Sequence, residues 1–202
     1  MQVSKIQFSP EELSLAENAE WILTKNEIIR KVMSLFGELA SEYRKRVEEK
    51  VRELPEEASL FSPKISRGEQ YRGLPYVILD YPRIFSKDHV FAVRSFFWWG
   101  NYFSLTLHLK GEYKNELQKR IIQSHQYFSD GDFSLAVTED EWRHDLQDGN
   151  YMRVFELGND FEDEVLQKKF LKLTKVWPLQ EVNHMESLLA NEFSNLLRVI
   201  AG

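Results

Sequence analysis

Residues 90–110 read VFAVRSFFWWGNYFSLTLHLK, and this stretch decides the fold. Aromatic and β-branched residues are frequent on both sides of Gly100 and Asn101, a composition typical of two strands joined by a tight turn. If these two residues form the turn, Trp99 lies opposite Tyr102 and the strands pair outward from there. The sequence therefore predicts an antiparallel β-hairpin with large rings at its tip.

The predicted register sorts the hairpin side chains onto two faces, because successive residues of a strand point to opposite sides. We expect one face to be apolar except for Arg94, and the other, mixed face to hold Trp99, Tyr102 and His108. An unpaired charge on an apolar face costs several kcal/mol. Arg94 should therefore reach an edge of the sheet, pair with an acid such as Asp80, or bind an anionic ligand.

Two helices are predicted before the hairpin. Ser9, followed by a proline and two glutamates, is typical of a helix start, which predicts a short helix. Thr24 and Glu27 match a capping box, and apolar residues spaced by three and four then predict a long helix over residues 25–52. We expect these helices to form a long N-terminal helical hairpin. The connection that follows, residues 55–73, contains one expected short strand near residues 64–66.

The region after the hairpin is predicted to contain both helices and strands. Helical spacing and capping residues predict helices over residues 113–126, 138–142 and 160–177 and a last helix from residue 182. Alternating apolar residues predict strands over residues 133–137 and 151–157. The chain is thus expected to be α+β, with an antiparallel sheet of four to five strands packed by helices. We interpret residues 1–202 as a single domain, with a helical N-terminal arm at 9–54 and an α+β core at 64–202.

Composition and charge exclude several classes of function. The chain has no cysteine, so it has no disulfide, no thiolate zinc site and no cysteine nucleophile, and a reducing compartment such as the cytoplasm is expected. The net charge of -6 argues against nucleic-acid binding, which needs clustered basic residues. No stretch approaches the ~18 consecutive apolar residues of a membrane span, so we expect no membrane partner.

Motifs that carry common enzyme chemistry do not occur. There is no glycine-rich phosphate loop, no nucleophile elbow, no zinc-binding His-Glu-x-x-His and no dinucleotide fingerprint. The five histidines are nowhere spaced by three or four residues, the spacing that directs two imidazoles at one metal ion on a helix. We therefore expect neither a metal site nor a cofactor.

The aromatic hairpin suggests a binding function. Its rings exceed what one buried face of a sheet needs, so we predict an intracellular, noncatalytic binding module that uses Trp99, Tyr102, His108 and Arg94. Its partner would be a second copy of the chain or a small apolar or anionic ligand. The alternative is a hydrolase or transferase that uses His108 with Asp80 or Asp88 as general acid and base. A third reading is an oligomerisation protein that pairs through the long helix.

Overall fold

The computed structural model, which describes residues 6–202, has an antiparallel sheet with helices packed on one face. The α+β class is confirmed, but the sheet has seven strands rather than four or five. The strands are β1 (Lys64–Tyr71), β2 (Leu74–Phe85), β3 (Val90–Trp98), β4 (Tyr102–Lys110), β5 (Ser134–Ala136), β6 (Tyr151–Arg153) and β7 (Phe170–Pro178). Their order across the sheet is β1-β2-β3-β4-β7-β5-β6.

Seven α-helices and three short 3-10 helices complete the described part of the chain. The α-helices are α1 (Pro10–Glu17), α2 (Ala19–Glu49), α3 (Glu112–Gln123), α4 (His125–Asp130), α5 (Val154–Leu157), α6 (Phe161–Gln167) and α7 (Met185–Ala201). The 3-10 helices are Glu56–Ser59, Gly158–Asp160 and Leu179–His184.

The main core lies between the sheet and the helices α2, α3 and α7. Odd-numbered residues of the central strands, such as Phe97, Phe103 and Leu173, enter this core. The Tyr43 ring of α2 stacks on Phe193 of α7 at 3.7 Å between ring centroids. Burial of these rings supplies the hydrophobic stabilisation that holds the long helix against the sheet.

The opposite face of the sheet carries even-numbered residues and is covered differently. Ile78, Phe96 and Trp98 form a second, smaller cluster there, against which Tyr76 and Tyr102 pack. The irregular segment 137–150, which we name the covering loop, lies over the rest of this face. A sheet with both faces covered buries both sets of alternating side chains, which explains why rings occur at odd and even positions of the hairpin.

The predicted hairpin exists, but its predicted register is wrong. Trp98, not Trp99, pairs with Tyr102, so the turn has three residues, 99–101. Gly100 takes a positive φ of 71° in this turn, a conformation that glycine adopts without steric cost. Because the turn is one residue longer than predicted, every side chain of β3 changes face. Arg94 therefore shares a face with Tyr102 and His108, whereas Trp99 lies in the turn and packs against the main core.

Strand β7 occupies a region where the sequence predicts a helix. The helix predicted over residues 160–177 ends at Gln167, and Phe170–Pro178 pairs along the whole length of β4. Phe170, Leu173 and Trp177 have helical spacing, but Leu171 and Leu173 also alternate with Lys172 and Thr174, which is strand spacing. Pairing with β4 and burial on both faces select the strand.

Smaller differences occur at element ends. The long helix is confirmed, but it starts at Ala19, where the Asn18 side chain accepts a hydrogen bond from the Trp21 backbone N–H at 3.1 Å. Ser9 caps α1 as predicted. Asn18 alone separates α1 from α2, and α1 has no buried residue, so the two helices do not share a core.

Residues 138–142 form part of the covering loop rather than a helix, and the predicted strand at 151–157 becomes β6 and α5.

Candidate functional site

Arg94 lies at the centre of a polar cluster on the loop-covered face of the sheet. Its Nε and Nη2 donate to the two carboxylate oxygens of Asp80 on the neighbouring strand, at 2.7 and 2.9 Å. Of the three outcomes expected for Arg94, pairing with Asp80 is the one that the structure shows. Both side chains are largely buried, so the bidentate pair is strong and its loss would leave a costly buried charge.

The third partner of Arg94 is His144 of the covering loop. Arg94 Nη1 lies 2.8 Å from His144 Nε2, and because a guanidinium only donates, Nε2 must be the acceptor. Burial and the positive charges of Lys172 and Arg94 hold the pKa of His144 well below its usual range, so the ring is neutral. In a neutral ring with an unprotonated Nε2, the proton is on Nδ1.

Lys172 also belongs to this cluster. It lies on β7, which pairs with β4, the neighbour of the Arg94 strand. Its Nζ donates to the backbone carbonyls of Glu141 and Arg143 and lies 3.3 Å from His144 Nδ1. Burial, followed by the nearby charge of Arg94, lowers the pKa of Lys172 to about 7. A neutral amine has two N–H groups and one lone pair, which match the two carbonyls and the Nδ1–H of His144. Lys172 therefore ties the covering loop to the sheet.

His108 and Glu141 carry buried polar atoms that have no hydrogen-bond partner. His108 is 4% exposed, and its Nε2 lies 3.7 Å from Glu141 Oε2, too far for a hydrogen bond. The other Glu141 oxygen accepts a bond of 2.8 Å from Lys110. Burial and the charges of Lys172, Arg94 and Lys110 hold the pKa of His108 well below its usual range. Unsatisfied buried polar atoms are rare, and at a cavity they mark a place for a polar ligand atom.

Two spaces that share Arg94 and Phe85 in their linings adjoin these groups. An enclosed cavity of about 10 Å³, sufficient for one water-sized group, is lined by His108, His144, Lys172 and Arg94. Arg94 and Phe85 also line an open hollow of about 250 Å³, which we name the anion hollow. Lys64, Ser66, Asp80, Arg83 and Trp142 form the remainder of its lining.

The anion hollow combines cationic groups with two exposed rings. Among the described residues that line the hollow and the cavity, four carry an amino or guanidinium group and one, Asp80, carries a carboxylate. At its rim, the Phe85 and Trp142 rings are 38% and 50% exposed, with their centroids 6.2 Å apart. The Arg94 guanidinium carbon lies 5.8 Å from the Phe85 ring centre. This arrangement favours an anionic group at Arg94 and a planar group against the rings.

Two half-buried tyrosines position the covering loop. The Tyr71 hydroxyl donates to Asp145 at 2.8 Å and accepts from the backbone N–H groups of His144 and Asp145. Tyr102 donates to the His144 carbonyl and accepts from the Leu146 N–H. Although burial acts in the opposite direction, hydrogen bonds from Arg143 and Tyr71 lower the pKa of Asp145. These contacts fix the loop that supplies His144 and Trp142 to the site.

The structure brings only some of the predicted site residues together. Arg94 and His108 line the cavity. Tyr102 lies on the same face, but its hydroxyl is hydrogen-bonded to the covering loop. Trp99 lies on the other side of the sheet, beside an apolar groove next to α2. In the described part of the chain, no hydrogen bond or ion pair links His108 to Asp80 or Asp88. Asp80 binds Arg94, and the carboxylate beside His108 belongs to Glu141.

Sequence reasoning missed Lys172, His144 and the rings of Phe85 and Trp142. The sequence predicts helices at Lys172 and Trp142, whereas His144 lies in an irregular loop without a periodic pattern. A β-bulge between Asp80 and Arg83 shifts the register of β2, which brings Arg83 and Phe85 to the hollow. The signal in the sequence is the alternation of Lys172 and Thr174 with Leu171 and Leu173, which is strand spacing.

Searches for a membrane span and a metal site had negative results. Within residues 6–202, no helix is both long and apolar enough to cross a membrane. In the same residues, no group of three or more histidine, aspartate or glutamate side chains is arranged to hold a metal ion. No protein-family model matches the chain, and no curated protein or solved structure does so either.

Proposed function

We propose that the chain is a noncatalytic binding protein for a small anion that carries an aromatic or other planar group. The observation that carries this proposal is the position of Arg94. Its guanidinium lies between the anion hollow and the inner cavity, and two of its five N–H groups have no hydrogen bond within residues 6–202. The surrounding excess of basic groups leaves this position electropositive, which favours a carboxylate or phosphate ligand.

Each part of the hollow has a role in this proposal. Arg94 binds the anionic group, and Arg83 and Lys64 add positive charge at the mouth. Phe85 and Trp142 provide faces for the planar part of the ligand. The predicted mechanism, ring contact with a basic residue that orients a polar group, is kept, but these two rings replace Trp99 and Tyr102.

The volume of the hollow limits the size of the ligand. Sites for drug-sized molecules commonly have volumes of ~300–1,000 Å³, and the hollow has about 250 Å³. A single ring with one carboxylate, such as benzoate, matches this volume. As part of the same proposal we assign the protein to the cytoplasm, since a cysteine-free chain suits a reducing compartment.

The enzyme alternative needs a different set of residues from the one predicted. Asp80 is bound to Arg94, so the available partner for His108 is Glu141, and the cavity that His108 lines holds about one water-sized group. General acid and base catalysis requires the base within hydrogen-bond reach of a reacting substrate atom. The larger anion hollow offers space for a ligand at Arg94, which supports binding better than turnover.

Calorimetric titration with three probes tests the proposal. Benzoate and phosphate should bind, and benzamide, which keeps the ring but has no charge, should bind at least tenfold more weakly than benzoate. The double variant Arg94→Met/Asp80→Leu should lose benzoate binding, since it removes the guanidinium together with its buried counterion. Arg30→Met is the matched control, because Arg30 pairs with Glu27 on the exposed side of α2. Equal binding of benzoate and benzamide would contradict the proposal.

A second variant distinguishes ring contact at Trp142 from binding of the anionic group. Trp142 is half exposed, so Trp142→Ala should change the free energy of unfolding by less than about 0.5 kcal/mol. It should weaken benzoate several-fold and leave phosphate unchanged, because phosphate has no ring to stack. Equal weakening of both probes would show that Trp142 acts through the loop and not through ring contact.

A further inference from the structure

A second cavity lies on the opposite face of the sheet from the anion hollow. This apolar groove has a volume of about 700 Å³. One wall is formed by α2 with Ile28, Val32 and Leu35, and the other by the hairpin tip with Phe97 and Trp99. Large apolar grooves on a protein surface mark sites of interaction. The inference drawn from it is independent of the proposed function.

The wall formed by α2 continues beyond the groove as an exposed apolar stripe. Trp21, Ile28 and Leu35 are each seven residues apart, which is close to two helical turns, so they lie on one side of α2. Trp21 is 49% exposed and Ile28 is 36% exposed. The stripe therefore runs from inside the groove toward the start of the helix, with Lys31 and Lys25 beside it, and Lys25 is paired with Glu69.

The segment before this stripe adds further exposed apolar surface. Phe8, Leu13 and Leu15 are all exposed, and α1 has no buried residue. Singly scattered exposed apolar residues are ordinary, but this set is confined to one protruding segment. Such a surface is stabilised when it is covered by another apolar surface.

Charge favours contact between this segment and the groove. Residues 6–24 contain four glutamates and no lysine or arginine. Lys31 is the single charged residue among the described residues that line the groove. An acidic segment that approaches a groove with a basic rim gains a favourable electrostatic interaction.

From these features we infer that two copies of the chain form a symmetric dimer through the N-terminal halves of their α2 helices. Trp21 and Leu35 are equally far from Ile28, about 10 Å along the helix in opposite directions. A two-fold axis at Ile28 with the helices antiparallel therefore places Trp21 opposite the partner's Leu35, in the partner's groove. The same contact forms twice, as an isologous interface requires.

Trp21 and Leu35 of one chain cannot make this contact with each other. Trp21 and Leu35 belong to the same continuous helix, in which 14 residues separate them by about 21 Å. Trp21 therefore cannot reach the groove of its own chain. Helix α1 can reach that groove only by folding back at Asn18, which would leave the chain monomeric.

Light scattering after size-exclusion chromatography tests the dimer. At chain concentrations up to ~100 μM, where an interface of micromolar Kd is populated, the mass should be twice the 24.0 kDa of one chain. Trp21→Glu should halve the measured mass, since it places a charge in an apolar groove. Leu23→Glu is the matched control, because Leu23 is 66% exposed on another side of the same helix and should leave the dimer intact. Circular dichroism of both variants checks that they fold.

Cross-linking identifies the interface directly. The chain has no cysteine, so Ile28→Cys introduces a single thiol at the predicted two-fold axis and should yield a disulfide-linked dimer on mild oxidation. Leu23→Cys should stay largely uncross-linked under the same conditions. A monomeric wild-type chain overturns the inference, and so does a dimer that persists in Trp21→Glu or fails to cross-link through Ile28→Cys.

Discussion

Replacing Arg94 by methionine removes the counterion of Asp80 while it keeps most of the side-chain volume. In the native protein the two side chains form two short hydrogen bonds, and Asp80 is 6% exposed. No other ion pair or hydrogen bond to the Asp80 carboxylate occurs within residues 6–202. The variant therefore leaves a buried carboxylate without compensation.

The expected cost follows from this geometry. Breaking a buried ion pair by removal of one partner costs about 3–5 kcal/mol. His144 Nε2 also loses its donor, which adds about 1 kcal/mol. For a chain of this length each kcal/mol lowers Tm by about 2–4 °C, so we expect Arg94→Met to lower Tm by roughly 15 °C.

The double variant separates stability from binding. Replacing both members of a buried pair with apolar residues is often nearly neutral, so Arg94→Met/Asp80→Leu should recover all but about 1 kcal/mol of the free energy of unfolding. Benzoate binding should stay absent, because the guanidinium is still missing. Urea unfolding and calorimetric titration of the wild type and both variants measure the two quantities.

Two results would refute this reasoning. If Arg94→Met unfolds at the same urea concentration as the wild type, Asp80 is not a buried charge that depends on Arg94. If the double variant binds benzoate as the wild type does, Arg94 is not the anion-binding group. Recovery of stability without recovery of binding is the expected pattern.

Three further perturbations test other contacts. Lys172 gains a positive charge as the pH falls through its pKa of about 7, so benzoate affinity measured by calorimetry should rise from pH 8 to pH 6, and Lys172→Met should remove this dependence. Tyr43→Phe keeps the stacked ring but leaves the buried Ser95 hydroxyl without its 3.0 Å partner, so urea unfolding should show a loss of about 1 kcal/mol, less than for Tyr43→Ala. Gly100→Ala meets no neighbouring atom but must adopt a positive φ, so a loss of about 1 kcal/mol is expected, and no loss would argue against the three-residue turn.

Local patterns were sufficient for the class of the fold and for its most regular parts. The Ser9 cap, the spacing along α2 and the aromatic strands on either side of Gly100 each depend on residues close together in the chain. Such short-range preferences act in any context, so they can be read before the fold is known. They also indicated Asp80 as one of three outcomes for Arg94, although the predicted register placed Arg94 on the wrong face.

What the sequence by itself determined is therefore an α+β chain with a long N-terminal helix and an aromatic antiparallel hairpin. The tertiary structure alone decided that the turn has three residues, that Phe170–Pro178 is a strand, and that a loop brings His144 against Arg94 and Lys172. Each of these outcomes depends on contacts between residues far apart in the chain. A one-residue change of register or a choice between strand and helix has little local cost, so long-range pairing and burial select the result.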